Sequence, residues 1–346
     1  MAKILYGVAG EGSGHSSRAK EVINHLLAKG HEIKIVSYDR GYKNLKQYFP
    51  VEEIFGLSFD YKNNKVRVLP TIVKNAFQLP AAKKSLDKVL RLIKEFKPQI
   101  VISDFEPLSC LAANLSGLPL ISIDNQHRLT NAKIEYPKKY EKDAVLAKAV
   151  TRLLIFNTKA CLVISFDKAK TLNKKTFIFP PILRGEVLET KSRRGDYILV
   201  YVTTPSKKLI EILEKINKKF VCYGFDKNEV LGNIKFKKAS QKDFLRDLAG
   251  CEAVIANAGF TLISEALFLR KPYLAWPVAG QFEQILNACF IDKAGYGLHA
   301  DELNEENIKK FLSNLKEYQQ KIKYYKKEDN RKLFAKLDQL IRQYAR

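Results

Sequence analysis

ANAGFTLISEALFLRKPYLAWPVAGQFEQILNA, residues 256–288, reads as strand, loop, helix, strand, loop, helix. The apolar run Ala253-Val254-Ile255-Ala256 has the continuous character of a buried strand, and Asn257-Ala258-Gly259 gives it a tight exit. Thr261 is placed to cap the next helix, whose Leu262, Ile263, Ala266 and Leu267 recur at helical spacing. Arg270-Lys271-Pro272 stops that helix and Tyr273-Leu274-Ala275-Trp276 forms the next strand. A loop, 277–280, leads into a second helix from Gln281 to Lys293. Polar residues gather where these strands end, the rim at which open α/β sheets bind ligands.

The chemistry at that rim suits a nucleotide joined to a sugar. A helix N-terminus behind a glycine turn offers free N–H groups and the positive end of a dipole to a diphosphate. Glu265, one turn into its helix, can accept from a ribose diol, and Glu283 with Gln284 can bind sugar hydroxyls.

The composition bounds the rest. A chain of 346 residues, 46% hydrophobic, is long enough for two domains. Sixty Lys and Arg against 37 Asp and Glu give a net charge of +23, spread along the whole chain. That excess suits a solvated surface, an anionic membrane face or anionic substrates. Nucleic acid is not expected as a partner, because no aromatic-basic motif accompanies the charge. None of the five cysteines forms a CxxC pair, and most lie in apolar stretches, so buried reduced thiols and a cytoplasmic setting are expected. Met1 to Ala9 runs straight into a glycine-rich turn, which speaks against a cleaved leader, and no apolar run reaches the ~20 residues of a membrane span.

The first half opens as a βαβ unit. The strand Lys3–Ala9 is followed by Gly10-Glu11-Gly12-Ser13-Gly14-His15, a helix from Ser16 to Lys29, and the strand Ile33–Val36. The glycine spacing is GxGxG rather than the GxGxxG of dinucleotide folds, which speaks against a dehydrogenase with Asp39 on its ribose. Further strands end at Asp104 and at the polar run Asp124-Asn125-Gln126-His127-Arg128. Phe55–Lys97 mixes lysines with apolar residues and suits either an amphipathic helix or a membrane-facing surface. Residues 1–183 make a first domain, 184–196 a charged linker, and 197–320 a second β/α series from Tyr197-Ile198-Leu199-Val200-Tyr201-Val202. A basic helical stretch, 321–346, ends the chain.

These motifs resemble the GT-B glycosyltransferases, which include the UDP-glycosyltransferases and the lipid-linked N-acetylglucosaminyltransferase of peptidoglycan synthesis. The resemblance rests on Asn257-Ala258-Gly259, Glu265, Arg270-Lys271-Pro272, Trp276-Pro277, Glu283-Gln284, Asn287-Ala288 and the Gly10–His15 turn. The chain departs from the pattern at Asn257, where plant members carry His, and at Lys271, where the family has Gly. The resemblance implies two facing Rossmann-like α/β domains with an interdomain cleft, and a last helix that crosses back to the first domain. It implies that His15 acts as general base on an acceptor hydroxyl with Asp104 orienting it, Asp124 being the rival carboxylate. Gly12, Gly14, Asp124 and His127 would line the acceptor or diphosphate loop. Gly259 and Thr261 would meet the diphosphate, Glu265 the ribose, Glu283 and Gln284 the donor sugar. Thr203 would lie near the phosphates, and Phe236 and Ser240 near the base.

The expected activity is metal-independent, inverting transfer from a nucleotide-sugar, by resemblance a UDP-sugar, to a small-molecule or lipid-linked hydroxyl. No DxD motif occurs and no cofactor is expected. Peripheral placement on the inner membrane face is an option for the basic charge. A nucleotide-sugar 2-epimerase of the same fold and a non-catalytic nucleotide-sugar or membrane-binding protein are the alternatives.

Overall fold

Ile4, Leu5, Tyr6 and Val8, and likewise Ile100, Val101 and Ile102, are fully buried. Strands that are apolar on both faces belong in the middle of a parallel sheet, where helices cover each side. A computed structural model describes residues 1–56, 61–62, 65–66, 78–238 and 240–345. The stretch Phe55–Lys97 therefore lies partly outside the described residues.

In chain order the elements begin with β1 (Lys3–Val8), α1 (Gly14–Ala28), β2 (Glu32–Ser37), α2 (Asp39–Leu45) and β3 (Val51–Glu53). A short antiparallel pair follows, β4 (Tyr61–Lys62) and β5 (Lys65–Val66). Then come α3 (Leu79–Phe96), β6 (Ile100–Asp104), α4 (Pro107–Leu115), β7 (Leu120–Asp124), α5 (Arg128–Asn131), α6 (Glu141–Leu154), β8 (Ala160–Ile164) and β9 (Thr176–Phe179). The series restarts with α7 (Gly185–Glu189), β10 (Tyr197–Tyr201), α8 (Lys207–Glu214), β11 (Lys219–Tyr223), β12 (Glu229–Leu231), β13 (Ile234–Lys237) and α9 (Gln241–Gly250). It continues with β14 (Ala253–Asn257), α10 (Phe260–Phe268), β15 (Tyr273–Trp276), α11 (Phe282–Lys293), β16 (Gly297–His299), α12 (Glu305–Ser313), α13 (Leu315–Ile322) and α14 (Arg331–Tyr344).

The chain divides into two units. Met1–Asp60, Arg67–Arg184 and Asp329–Arg346 form the first, and Tyr61–Val66 with Gly185–Glu328 the second. The first holds a seven-stranded parallel sheet in the order β3-β2-β1-β6-β7-β8-β9. Its strand order reverses between β1 and β6, the crevice position in such a sheet. The second holds β12-β13-β11-β10-β14-β15-β16, parallel except for the antiparallel edge strand β12, and reverses between β10 and β14.

The expected linker 184–196 falls, from Gly185 on, within the second unit. Arg193 N–H donates to the Ala249 carbonyl and Gly195 N–H to Gly250, each at 2.8 Å. Lys271, where the family has glycine, is buried, and its ammonium donates to the carbonyls of Cys251 (2.8 Å) and Arg193. Burial lowers the proton affinity of that amine, so the two carbonyls are what keep it in place. Within 321–346, Asn330 fastens the approach to α14 by bonding the Leu183 carbonyl (2.8 Å) and accepting from its N–H (3.0 Å). Asp338 of α14 reaches His25 of α1 at 2.8 Å, and that imidazole stacks on Phe334 at 4.3 Å.

All five cysteines are free and four are buried. Burial pushes the thiols of Cys161, Cys222 and Cys251 up to about 12, which keeps them protonated and unreactive. Among the described residues no helix is long and apolar enough to cross a membrane.

Candidate active site

The turn after β1 shows why its glycines are needed. A side chain at Gly10 would put a carbon 2.1 Å from the Tyr38 carbonyl oxygen, and Gly12 sits at φ +72°. The helix starts at Gly14 rather than Ser16, with Ser13 at its N-cap, so His15 lies in the first turn at the sheet's switch point.

His15 Nδ1 is 2.7 Å from Asp104 Oδ1 at the end of β6. An ionised carboxylate only accepts, so this contact is a hydrogen bond in the tautomer with the proton on Nδ1, and Nε2 has no partner among the described residues. Asp104 is fully buried. A lone charge there would be very costly, and Arg18 resolves it with Nε 2.7 Å from Oδ2 and Nη2 2.5 Å from Oδ1. Arg18 Nη1 reaches Asn125 Oδ1 at 3.0 Å, just past β7.

The backbone is bent to hold this arrangement. Phe105, next to Asp104, has φ +53°, which costs a side-chain-bearing residue about 1–2 kcal/mol. Glu106 follows as the N-cap of α4 and accepts from Leu108 N–H (2.9 Å) and Ser109 N–H (2.6 Å). Burial raises its pKa against the pull of those donors.

The rival carboxylate is paired with a different histidine. Asp124, also fully buried, pairs with its own neighbour: His127 Nδ1 lies 2.7 Å from Oδ2, and His127 N–H donates to Oδ1 at 2.8 Å. The Ser122 hydroxyl donates to the same carboxylate. Burial alone would push the Asp124 pKa up, but His127 and Ser122 outweigh it and hold it at about 2. Burial pulls the other way on His127, where Asp124 and the Ile155 carbonyl win and raise its pKa. Both side chains expected at an acceptor or diphosphate loop are thus turned inward in a buried ion pair.

The second unit repeats the layout at its own switch point. Thr203 follows β10, and its hydroxyl and N–H approach Asn257 Oδ1 at 3.1 and 3.5 Å. Asn257 Nδ2 donates to the Trp276 carbonyl (3.0 Å), Tyr273 hydroxyl to the Asn257 carbonyl (2.7 Å), and Asn287 Nδ2 to the Ala258 carbonyl (3.0 Å). These bonds fix the turn in front of α10. Gly259 takes the N-cap, so Thr261 is not the cap: it is the second helical residue, and no side chain caps the helix. An added side chain at Gly259 would meet nothing within 4 Å, so the space beside this helix start is open.

The remaining expectations separate. Glu265 is buried on α10, and Glu283 is half-buried in the first turn of α11. Gln284 is committed in part to the loop before α11, its Oε1 accepting from Val278 N–H at 3.0 Å. Phe236 is 2% exposed and packs edge-on against Phe225 at 5.0 Å, so it belongs to the core rather than to a base-stacking surface. Ser240 caps α9, accepting from Asp243 N–H. Arg18 was not singled out from the sequence, although the His15-x-x-Arg18 spacing puts His15 and Arg18 on one helix face, and Asn125 was named only within the polar run after its strand.

A family-wide pattern described as Glycosyl transferase family 1 matches residues 2–316. An uncharacterized glycosyltransferase of Methanosarcina mazei is 28% identical, over 93% of this chain and 92% of its own. A UDP-N-acetylglucosamine--N-acetylmuramyl-(pentapeptide) pyrophosphoryl-undecaprenol N-acetylglucosamine transferase of Clostridium botulinum is 26% identical over 92% of each chain. Among solved structures, the glycotransferase of kitacinnamycin superposes with a TM-score of 0.71 at 15% identity, covering 99% of this chain and 98% of that one. Two parallel-sheet α/β units, polar clusters at both switch points and a match over nearly the whole length place the chain in glycosyl transferase family 1, as a glycosyltransferase of GT-B fold.

Proposed function

We propose that the protein transfers a sugar from a UDP-sugar to a hydroxyl acceptor with inversion and without a metal ion. The observation that carries the reading is the His15–Asp104 contact of 2.7 Å, which leaves Nε2 to take a proton. The acceptor O–H bond breaks toward Nε2 while its oxygen attacks the anomeric carbon from the face opposite the diphosphate. The sugar–phosphate C–O bond breaks and its electron pair leaves with the nucleoside diphosphate. The uncapped first turn of α10 stabilises that leaving charge. Glu265 binds the ribose, Glu283 and Gln284 the sugar, and Thr203 lies by the phosphates. The absence of a DxD motif from the sequence favours this helix-based stabilisation over a bridging metal.

Thermal denaturation with UDP, GDP, TDP and NAD at equal concentration tests the donor half. UDP at ~100 times its Kd should stabilise by about 2.7 kcal/mol, and Glu265→Ala should abolish the shift. Stabilisation by NAD alone would refute the donor assignment.

The relative from Clostridium botulinum acts on a polyprenyl-linked acceptor by its name, and we propose a lipid-linked acceptor at an anionic membrane surface here too. Support comes from the outward face of α6, where Val145, Leu146 and Leu153 are exposed among Lys142 and Arg152. Leu115 and Phe156 are exposed at the adjoining helix ends, where Asn114 Nδ2 meets the Phe156 carbonyl at 3.4 Å. Apolar residues with a basic rim suit the interface of an anionic bilayer. The protein should sediment with phosphatidylglycerol vesicles, and Leu153→Glu with Val145→Glu should release it. Equal sedimentation of that double variant would discard this surface.

A further inference from the structure

We infer that Arg18 is a positioning residue that keeps the His15–Asp104 pair one proton short, so that His15 can act as a base near neutral pH. The inference rests on the reading of His15 as the base and adds a component which that reading does not contain.

The geometry sets Arg18 apart from an ordinary structural ion pair. It is 5% exposed, grips both oxygens of Asp104, and lies with Nη2 2.8 Å from His15 Nδ1. Two N–H donors cannot bond each other, so Arg18 and His15 share Oδ1 as a common acceptor. Nη1 is anchored on Asn125, which fixes the fork in one orientation. One side chain therefore joins the first turn of α1 to the ends of β6 and β7, across the switch point.

The electrostatic consequence has a definite sign. A buried carboxylate beside an imidazole favours an added proton, either on the imidazole or on the carboxylate itself. In both microstates the pair has lost its base, and titration reports the pair rather than either residue. The guanidinium supplies the balancing positive charge permanently, because it does not titrate in the working range. With Arg18 in place the pair is compensated without the extra proton, and Nε2 stays open.

The neighbouring titratable groups do not supply that charge. Tyr6 of β1 and Tyr38 after β2 are kept neutral by burial, reinforced by Asp104 for the first and by Glu106 for the second. Glu106 is engaged by the α4 amides, and Asp124 is already paired with His127. Glu11 in the turn and Asp39 after β2 are acidic. Arg18 is thus the cation bonded to this carboxylate.

The test compares Arg18→Gln, which removes the charge but keeps an amide donor, with Arg18→Lys, which keeps the charge but loses the fork. The proton equilibrium is read on the full-length protein by the histidine ring NMR signals, with His15 assigned through His15→Gln. UDP release from UDP-N-acetylglucosamine is followed over the same pH range. In Arg18→Gln the His15 titration and the acid limb of activity should both move up by ~1–3 pH units, and activity should recover on the alkaline side. In Arg18→Lys both should stay near the wild-type position while kcat falls at every pH.

An unmoved titration in Arg18→Gln, or an equal loss of activity at every pH, would overturn the inference. A titration that moves while His15→Gln keeps full activity upholds the role of Arg18 in the pair and rejects His15 as the base. If Arg18→Gln does not fold, Arg18→Lys decides, since a shifted titration with the charge retained contradicts the inference.

Discussion

Two Asp–His pairs stand at the ends of the neighbouring strands β6 and β7. Both carboxylates are fully buried, and both imidazoles approach through Nδ1 at 2.7 Å. In the Asp124–His127 pair the partners are three residues apart, the backbone amide of His127 joins in, and Ser122 and the Ile155 carbonyl complete the shell. In the His15–Asp104 pair the imidazole arrives from a helix 89 residues away, and Arg18 holds both oxygens of the carboxylate. The first arrangement stabilises a charged histidine and fastens a loop. The second leaves His15 Nε2 without a partner among the described residues, the nitrogen that the proposed mechanism uses. Residue type and contact distance are the same, and on the proposed reading the source of the compensating charge makes the difference.

The sharpest way to break this comparison is to neutralise each carboxylate in turn. Asp104→Asn should lower sugar transfer by ~10²–10⁴-fold, because the amide misorients the imidazole proposed as base. Asp124→Asn should instead cost about 3–5 kcal/mol of stability by stranding a buried histidine, with a much smaller effect on turnover per folded molecule. A stability loss confined to Asp104→Asn, or an activity loss confined to Asp124→Asn, would reverse the two roles.

The stability effect carries its own pH signature. The folded-state pKa of Asp124, about 2, lies below the unfolded value. Its contribution is therefore present above the unfolded carboxylate range and is lost as pH falls through about 2. His127 is shifted upward, so its contribution is present below the unfolded histidine value and disappears as pH rises through the folded one. Chemical denaturation of wild type and Asp124→Asn should diverge most between these limits and converge toward pH 2. A constant gap down to pH 2 would exclude the ion pair as its origin.

Much of the fold was legible in the sequence. Continuous apolar strands such as Ile100–Ser103 and Ala253–Ala256 mark a parallel sheet, and the polar turns after them mark its ligand-binding rim. His15 and Asp104 are named by resemblance to the GT-B pattern, and the fold brings them to 2.7 Å, while Glu265 is read from its place one turn into the helix after the glycine turn. Arg18 was not legible, because a cation inside a helix normally reads as a solvated surface residue and only burial reveals its partner. Asp124 and His127 read as a site because burial, which turns them inward, has no local signature. Phe236 did carry a signal, since Ile234 and Phe236 alternate with Lys235 and Lys237, the period of a strand with one buried face. Thr261 has the residue type of a cap, but Gly259 takes that place where the strand exit turns.

The central claim is that one histidine of the two moves a proton. It is tested most directly by measuring UDP release from UDP-N-acetylglucosamine, with a polyprenyl-diphosphate-linked sugar as acceptor, by wild type, His15→Gln and His127→Gln at matched folded concentration. The account predicts that His15→Gln loses at least ~100-fold in kcat while binding UDP and melting as wild type does, and that His127→Gln turns over but melts lower. Turnover retained by His15→Gln and lost only in His127→Gln would contradict it.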